Sequence, residues 1–142
     1  QGKSGVCMLG AQKQKAWLSD QEFAKKFGFV PVDTTADGYE LLALSFDGTE
    51  PYFLPNAKLQ TIEEQELTIY FSRQCPYTEQ ALKTVRQHCE QNAVPFHLIE
   101  VDTLEKAKTL PCVFNNWAVF YKGQFQTVNL LDLAALKRIL KK

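Results

Sequence analysis

The stretch that decides the fold is LTIYFSRQCPYTEQ, which runs from Leu67 to Gln80. Its first five residues are a continuous run of strand formers, as expected of a strand buried on both faces of a sheet. A polar turn with Cys75 follows, and Pro76 suits the first turn of a helix, where its missing N–H needs no partner. Helical spacing then relates four apolar residues, Ala81, Leu82, Val85 and Cys89. The stretch therefore predicts a strand, a turn that carries a thiol, and a helix.

The rest of the C-terminal half continues this alternation. VPFHLIEV predicts a strand, TLEKAKTL a short helix with a Thr cap, and WAVFYKGQFQTV a hairpin that turns at Lys122 and Gly123. LLDLAALKRIL predicts an amphipathic closing helix. Two strands joined by a helix are expected to be parallel, and the two strands of the hairpin are antiparallel. The predicted order is βαβαββα.

A separate unit precedes this half of the chain. Its pattern predicts a strand at Val6 to Leu9, a helix capped by Ser19 or Asp20, and two strands joined by an ADG turn. A stretch rich in Pro, Gly and polar residues follows and predicts a linker. The predicted division is a first unit at 1–47, a linker at 48–66 and a second unit at 67–142. The fold class is α/β (α+β).

Composition excludes several classes of function. The chain of 142 residues has 16 basic and 16 acidic residues, so we expect neither nucleic acid nor a membrane surface as a partner. No apolar run approaches the roughly 20 residues of a membrane helix. The four cysteines lack the spacing of zinc ligands, so no metal site is predicted. We expect a cytoplasmic protein with reduced thiols. Because the chain begins at Gln1, close to a predicted strand, we interpret it as a piece of a longer protein.

Cys75 is the strongest candidate for chemistry. A thiol at a helix N-terminus meets unpaired N–H groups and the positive end of the helix dipole, which favour the thiolate. Arg73 can add positive charge nearby. The position at which a Cys-x-x-Cys pair has its second thiol is Thr78, so Cys75 cannot form that disulfide. It can form a mixed disulfide with a small thiol, or exchange with another cysteine such as Cys112.

The turn resembles the start of a glutaredoxin or thioredoxin active site, and the predicted order of elements is that of the thioredoxin fold. The resemblance implies that Pro111 is a cis-proline packed against the active cysteine, which would bring Cys112 close to Cys75. It also implies that binding involves five residues, Arg73, Pro76, Tyr77, Thr78 and Pro111. Three interpretations stay open: an inactive remnant, a thiol-reactive or ligand-binding module, and coincidental spacing.

Three motifs of the second half, CPYTEQ, EVDTLEKAKTLPCVFNNWAVFYKGQF and NLLDLAALKRILKK, resemble the YoaP-like domain, which is appended to GNAT-family N-acetyltransferases. In the first half, GVCML and SDQEFAKKFGFVPVDTTADGYELLALSF resemble the last strand, helix and hairpin of a GNAT fold. The resemblance implies that Phe23, Phe27 and Phe29 pack the helix on the sheet, and that Gly28 makes the turn between them.

This resemblance implies a parent enzyme that moves an acetyl group from acetyl-CoA to an amine. GNAT enzymes hold the pyrophosphate on a Gly-rich loop at a helix start, and this chain has no such loop. Many members have a tyrosine acid where this chain has Ala24. We therefore expect the chain alone to be inactive and to bind acetyl-CoA poorly. Its first strand would offer an open edge to a second copy or to the missing N-terminal acetyltransferase half. A monothiol oxidoreductase is a further alternative.

Overall fold

The structure is a computed structural model that describes residues 2–13, 15, 18–114 and 116–142. The described residues form a mixed α/β fold with two sheets and four α-helices, which confirms the predicted class. The chain divides into two compact units, Gln1–Leu54 and Pro55–Lys142. The division falls within residues 48–66. In the described part of the chain, no helix is long and apolar enough to cross a membrane.

The first unit is an antiparallel sheet with one short helix. Its elements are β1 (Gly5–Ala11), α1 (Gln21–Lys26), β2 (Val30–Thr34) and β3 (Tyr39–Ser45), and the strand order is β1-β3-β2. Asp20 caps α1, because its carboxylate accepts a hydrogen bond of 3.0 Å from the N–H of Glu22. The strand β1 is an edge of this sheet.

Phe23 of α1 and Phe27, the residue that follows its last turn, were predicted to be packed against the sheet but are exposed. Phe23 is 68% exposed and Phe27 is 64% exposed, and the two rings contact each other with centroids 5.0 Å apart. The residue of α1 that is buried is Ala24. The prediction that Phe23 and Phe27 pack the helix on the sheet was wrong. The small side chain of Ala24 is buried, whereas the two rings are exposed and contact each other.

The second unit is a four-stranded sheet with three α-helices. After a 3-10 helix at Pro55–Lys58 come β4 (Leu67–Phe71), α2 (Thr78–Gln91), β5 (Phe96–Glu100), α3 (Leu104–Thr109), β6 (Trp117–Tyr121), β7 (Gln124–Thr127) and α4 (Leu133–Leu140). The strand order is β5-β4-β6-β7. β4 and β5 are parallel, and β6 and β7 are antiparallel, so both predicted strand directions are confirmed.

The two faces of this sheet carry different cores, because side chains alternate along a strand. One face carries the large core, in which Ile69 and Val119 of the sheet pack with residues of α2 and α4 such as Val85 and Leu136. The opposite face carries the small core, which contains Val101, Leu110, Cys112, Ala118 and Phe120. Tyr70 of β4 and Ala107 of α3 pack against the small core.

Residues 55–66 lie within the second unit and bond to its loops. The N–H of Gln60 donates to the carbonyl of Pro111 at 3.0 Å, and the N–H of Ile62 donates to the carbonyl of Gly123 at 2.9 Å. The amide nitrogen of Asn56 donates to two carbonyls at the end of α3, each at 2.8 Å. These bonds tie the segment to the end of α3, to the loop before β6 and to the turn between β6 and β7.

Candidate functional site

Cys75 lies in the loop that joins β4 to α2, three residues before the helix begins. The first helical residue is Thr78, and its N–H donates to the carbonyl of Cys75 at 3.1 Å. Pro76 therefore lies in the turn before the helix, and the prediction that it occupies the first helical turn was wrong. Cys75 is partly exposed, and Tyr77 is 72% exposed. The loop thus presents a thiol and an aromatic ring to solvent.

Thr78 has a structural contact at the position of the absent second thiol. Its side chain is 1% exposed, and its hydroxyl donates to the carbonyl of Ser72 at 3.3 Å. Ser72 is itself buried, and its N–H donates to the carbonyl of Asn116 at 2.9 Å. The hydroxyl of Thr78 therefore ties the first turn of α2 to the end of β4. A buried, hydrogen-bonded group replaces a redox partner at this place.

Arg73 is held by carboxylates on both sides of the loop. Its Nε lies 2.9 Å from Oε1 of Glu100, and its Nη1 pairs with Oε1 of Glu79. The guanidinium also lies over the ring of Phe71, 5.8 Å from the centroid. The carboxylates of Glu79 and Glu100 therefore balance the positive charge of Arg73, which the sequence analysis had expected to act on Cys75. The contacts of Arg73 that the structure shows stabilise the loop and join it to β5.

Cys112 belongs to the small core, on the face of the sheet opposite α2. Its thiol is 3.1 Å from the carbonyl of Phe114, to which it donates. Burial, and secondarily the nearby Cys112 thiol, raise the pKa of Tyr70 above its ordinary value. The peptide bond before Pro111 is trans, so the expected cis-proline was wrong. Pro111 instead accepts the backbone hydrogen bond from Gln60.

The four cysteines carry thiols rather than disulfides, and they differ in access to solvent. Cys89 on α2 is fully buried in the large core, and burial raises the pKa of its thiol. Cys112 is also buried, whereas Cys7 on β1 is exposed and Cys75 is partly exposed. Solvent therefore reaches the first two cysteines of the chain at the edge of β1 and before α2.

A cluster of Glu64, Glu66 and His97 was missed by the sequence patterns. Nε2 of His97 lies 2.7 Å from Oε2 of Glu66 and 3.4 Å from Oε2 of Glu64. The parallel pairing of β4 with β5 sets His97 opposite Thr68, two residues after Glu66. Sequence spacing gave no signal for this cluster, because His97 is 31 positions away from Glu66 and reaches it only through the register of the two strands.

Comparison with known proteins gives a partial match. Residues 95–141 match the YoaP-like family model. Over 141 residues the chain is 28% identical to a Bacillus subtilis (strain 168) protein, the uncharacterized N-acetyltransferase YoaP. The similarity covers 98% of this chain and 56% of the relative, so the chain spans little more than half of the length of that protein. No solved structure matches. The chain is thus related to a protein named as an N-acetyltransferase.

The YoaP-like match covers the part of the second unit from β5 to α4. It includes the small-core residues Leu110 and Cys112 and the strand that carries His97. Cys75 and its loop lie before the matched residues but within the longer similarity to the Bacillus protein. That longer similarity extends over both compact units.

Proposed function

We propose that this chain is the C-terminal region of a GNAT-type N-acetyltransferase, with a thioredoxin-like, YoaP-type module in its second unit. The parent enzyme transfers an acetyl group from acetyl-CoA to an amine. The observation that carries the proposal is the similarity to the Bacillus N-acetyltransferase, which extends over 98% of this chain and therefore over both units. The region alone does not catalyse the transfer.

The first unit supports the proposal, because several of its large apolar side chains are exposed to solvent. Val6, Val30 and Phe46 are each at least half exposed, as are Phe23 of α1 and Phe27, which follows the helix directly. The edge of β1 is also open in its three-stranded sheet. Large apolar side chains and an open strand edge mark a surface that another chain or domain covers. The partner on this surface is the remaining half of an acetyltransferase, or a second copy of this chain when that half is absent.

The residues present do not fit acetyl-CoA as a complete site. Seven glycines are scattered along the chain and form no Gly-rich loop at the start of a helix. Ala24, the buried residue of α1, has no side-chain group that could donate a proton. Binding of the pyrophosphate and donation of a proton to the leaving thiolate therefore belong to parts of the parent enzyme outside these residues.

The test compares the 142-residue chain with the full-length Bacillus relative. Acetyl-CoA binding is measured by calorimetry, which needs no knowledge of the acceptor, and release of CoA is measured with a panel of amines. We expect saturable binding by the relative, and neither binding nor CoA release above buffer for the chain. Acetyl transfer by the chain alone would overturn its assignment as an incomplete region. Absence of acetyl-CoA binding by the relative would overturn the acetyltransferase assignment.

Pairing of β1 between two copies is tested by sedimentation of the isolated chain. We expect a concentration-dependent dimer, and we expect Val6→Lys to shift it toward monomer because a lysine disfavours edge pairing. Gln87→Lys, on the exposed side of α2, is the matched control and leaves the dimer unchanged. A chain that stays monomeric at high concentration contradicts the dimer.

A second candidate function is a thiol-reactive or partner-binding module that acts through Cys75. The observation that favours it is the partly exposed thiol beside the exposed ring of Tyr77, in the loop before α2. Cys7, which is exposed on an edge strand, provides an internal reference in the same molecule. If Cys75 acts chemically, it reacts with an alkylating agent faster than Cys7 at pH 7, and the fast phase disappears in Cys75→Ser. Equal rates assign the loop a passive role.

The monothiol oxidoreductase is the redox form of this candidate. The thiolate of Cys75 attacks one sulfur of oxidised glutathione, a mixed disulfide forms, and one glutathione leaves as a thiolate. The thiolate of a substrate then attacks the glutathione sulfur of this mixed disulfide, and the Cys75 thiolate leaves, so that one glutathionyl group passes from oxidised glutathione to the substrate thiol. Mass mapping of glutathione onto Cys75, but not onto Cys7, supports this form, and equal modification of both sites contradicts it.

A further inference from the structure

We propose that Glu64, Glu66 and His97 bind a divalent transition-metal ion, and that Zn²⁺ suits the site best. The three side chains combine one imidazole nitrogen with two carboxylate oxygens, and their ligand atoms all lie within 4.8 Å of one another. Imidazole and carboxylate are both common ligands of Zn²⁺. The site is separate from the Cys75 loop and does not depend on the proposed acetyltransferase function.

The distance between the ligand atoms of His97 and Glu64 matches the spacing around a tetrahedral ion. Zn²⁺ bonds of about 2.0–2.1 Å place neighbouring ligand atoms roughly 3.3–3.4 Å apart in a tetrahedron. Nε2 of His97 and Oε2 of Glu64 are separated by 3.4 Å. Oε2 of Glu66 lies 2.7 Å from the same nitrogen, at hydrogen-bond distance. A movement of Oε2 of Glu66 by about 0.6–0.7 Å away from His97 brings this distance to the tetrahedral value and completes a three-ligand set.

Two of the ligands are held in place by the fold. Oε1 of Glu64 accepts hydrogen bonds from the N–H groups of Gln65 at 2.8 Å and Glu66 at 3.1 Å. These two bonds to its own loop backbone fix the orientation of the Glu64 carboxylate. His97 is fixed by strand pairing opposite Thr68, which is 1% exposed. An anchored carboxylate and an imidazole on a strand reduce the entropy lost on metal binding.

A hollow in the surface lies beside two of the three proposed ligands. Glu64 and His97 line a hollow of about 430 Å³ whose other walls include Thr68, Tyr70 and Pro111. Zn²⁺ sites with three protein ligands and a free fourth position bind water or a substrate oxygen there. The hollow has room for such a ligand. Without a metal ion, the same distances also describe ion pairs of His97 with Glu64 and Glu66, and a metal titration separates the two interpretations.

The test measures Zn²⁺ binding to the purified 142-residue chain after removal of metals by a chelator. Titration against a zinc-binding dye gives the stoichiometry and affinity, and NMR of the imidazole rings identifies the histidine involved. We expect one Zn²⁺ per chain and a saturable shift of His97 but not of His88, the other histidine. His97→Ala and Glu66→Gln each weaken binding by about tenfold or more, since loss of even an outer-shell partner costs about 10–100-fold. His88→Ala is the matched control and keeps the affinity.

X-ray absorption of the Zn²⁺ complex separates this site from the accessible thiols. We expect a first shell of nitrogen and oxygen at about 2.0–2.2 Å, without the sulfur distance of about 2.3 Å. Sulfur in the first shell, equal affinity in His97→Ala, or the absence of saturable binding overturns the proposal. Circular dichroism of each variant verifies that it is folded, and Glu64→Gln provides a second ligand variant if one of the others unfolds.

Discussion

At the scale of single residues, the hydroxyl of Thr78 limits the chemistry that is possible in the Cys75 loop. A second thiol at this place would make a redox pair, whereas the threonine hydroxyl bonds to the backbone of the same loop. The side chain of Thr78 is buried and has no sulfur with which to form a disulfide. Any chemistry of the loop therefore depends on Cys75 and on a partner from outside the loop.

Replacement of Thr78 by Val tests this role. The substitution keeps the shape but removes the donor to the buried carbonyl of Ser72, so we expect a loss of about 1–2 kcal/mol in the free energy of unfolding. Thr84→Val is the matched control, because its hydroxyl makes the same kind of bond, to Gln80 at 3.0 Å, on the outer side of α2. Urea unfolding measures both. A loss for Thr78→Val no greater than for Thr84→Val contradicts the structural role.

The four thiols are expected to fall into two classes of reactivity. Cys89 is fully buried and burial raises its thiol pKa, and Cys112 is buried in the small core. We expect Cys7 and Cys75 to be alkylated in the native chain, and Cys89 and Cys112 to be alkylated after unfolding in urea. Peptide mass mapping after timed labelling measures this. Native-state labelling of Cys89 at the rate of Cys7 would show that the large core opens.

At the scale of elements, the caps of the helices follow directly from local sequence. Asp20, Thr103 and Asp132 each accept a hydrogen bond from an N–H in the first turn of the helix that follows. The predicted caps for α1 and α3 are confirmed. α4 packs on the large core through Leu136 and Ile139, so its cap contributes to the stability of the second unit.

Removal of the α4 cap is expected to destabilise the second unit. Oδ1 of Asp132 accepts a hydrogen bond of 2.7 Å from the N–H of Ala135. Asp132→Ala leaves that donor without its side-chain acceptor, which costs about 0.5–2 kcal/mol. Asp132→Asn keeps an oxygen acceptor and retains most of the stability. Thermal unfolding of both variants measures the difference, and equal losses for the two would point to the charge rather than the cap.

At the scale of the whole molecule, the boundary between the units lies twelve residues before the strand with which the second unit was predicted to begin. Both clusters of buried apolar side chains described above lie in the second unit. Residues 55–66 bond to that unit at its loops and at Gln124, which bridges to Thr61. The segment therefore contributes to the stability of the second unit rather than acting as a spacer.

Two fragments test this boundary directly. Residues 55–142 are expected to unfold cooperatively on their own, because they contain both cores. Residues 67–142 lack four backbone hydrogen bonds that involve Gln60, Ile62 and Gln65. At about 1 kcal/mol per hydrogen bond, we expect this fragment to be less stable by on the order of 2–4 kcal/mol. Equal urea midpoints for the two fragments would show that residues 55–66 act as a linker and do not stabilise the second unit.

The sequence by itself determined the type and order of the elements, the parallel and antiparallel strand directions and the caps of two helices. These features depend on the period of apolar residues and on contacts within one turn of chain, which are local. Tertiary structure decided the rest. Ala24 rather than Phe23 is buried, the bond before Pro111 is trans, and Glu66 contacts His97, which lies 31 positions away in the sequence. Such features follow from strand register and packing between distant segments, and local sequence does not encode either one.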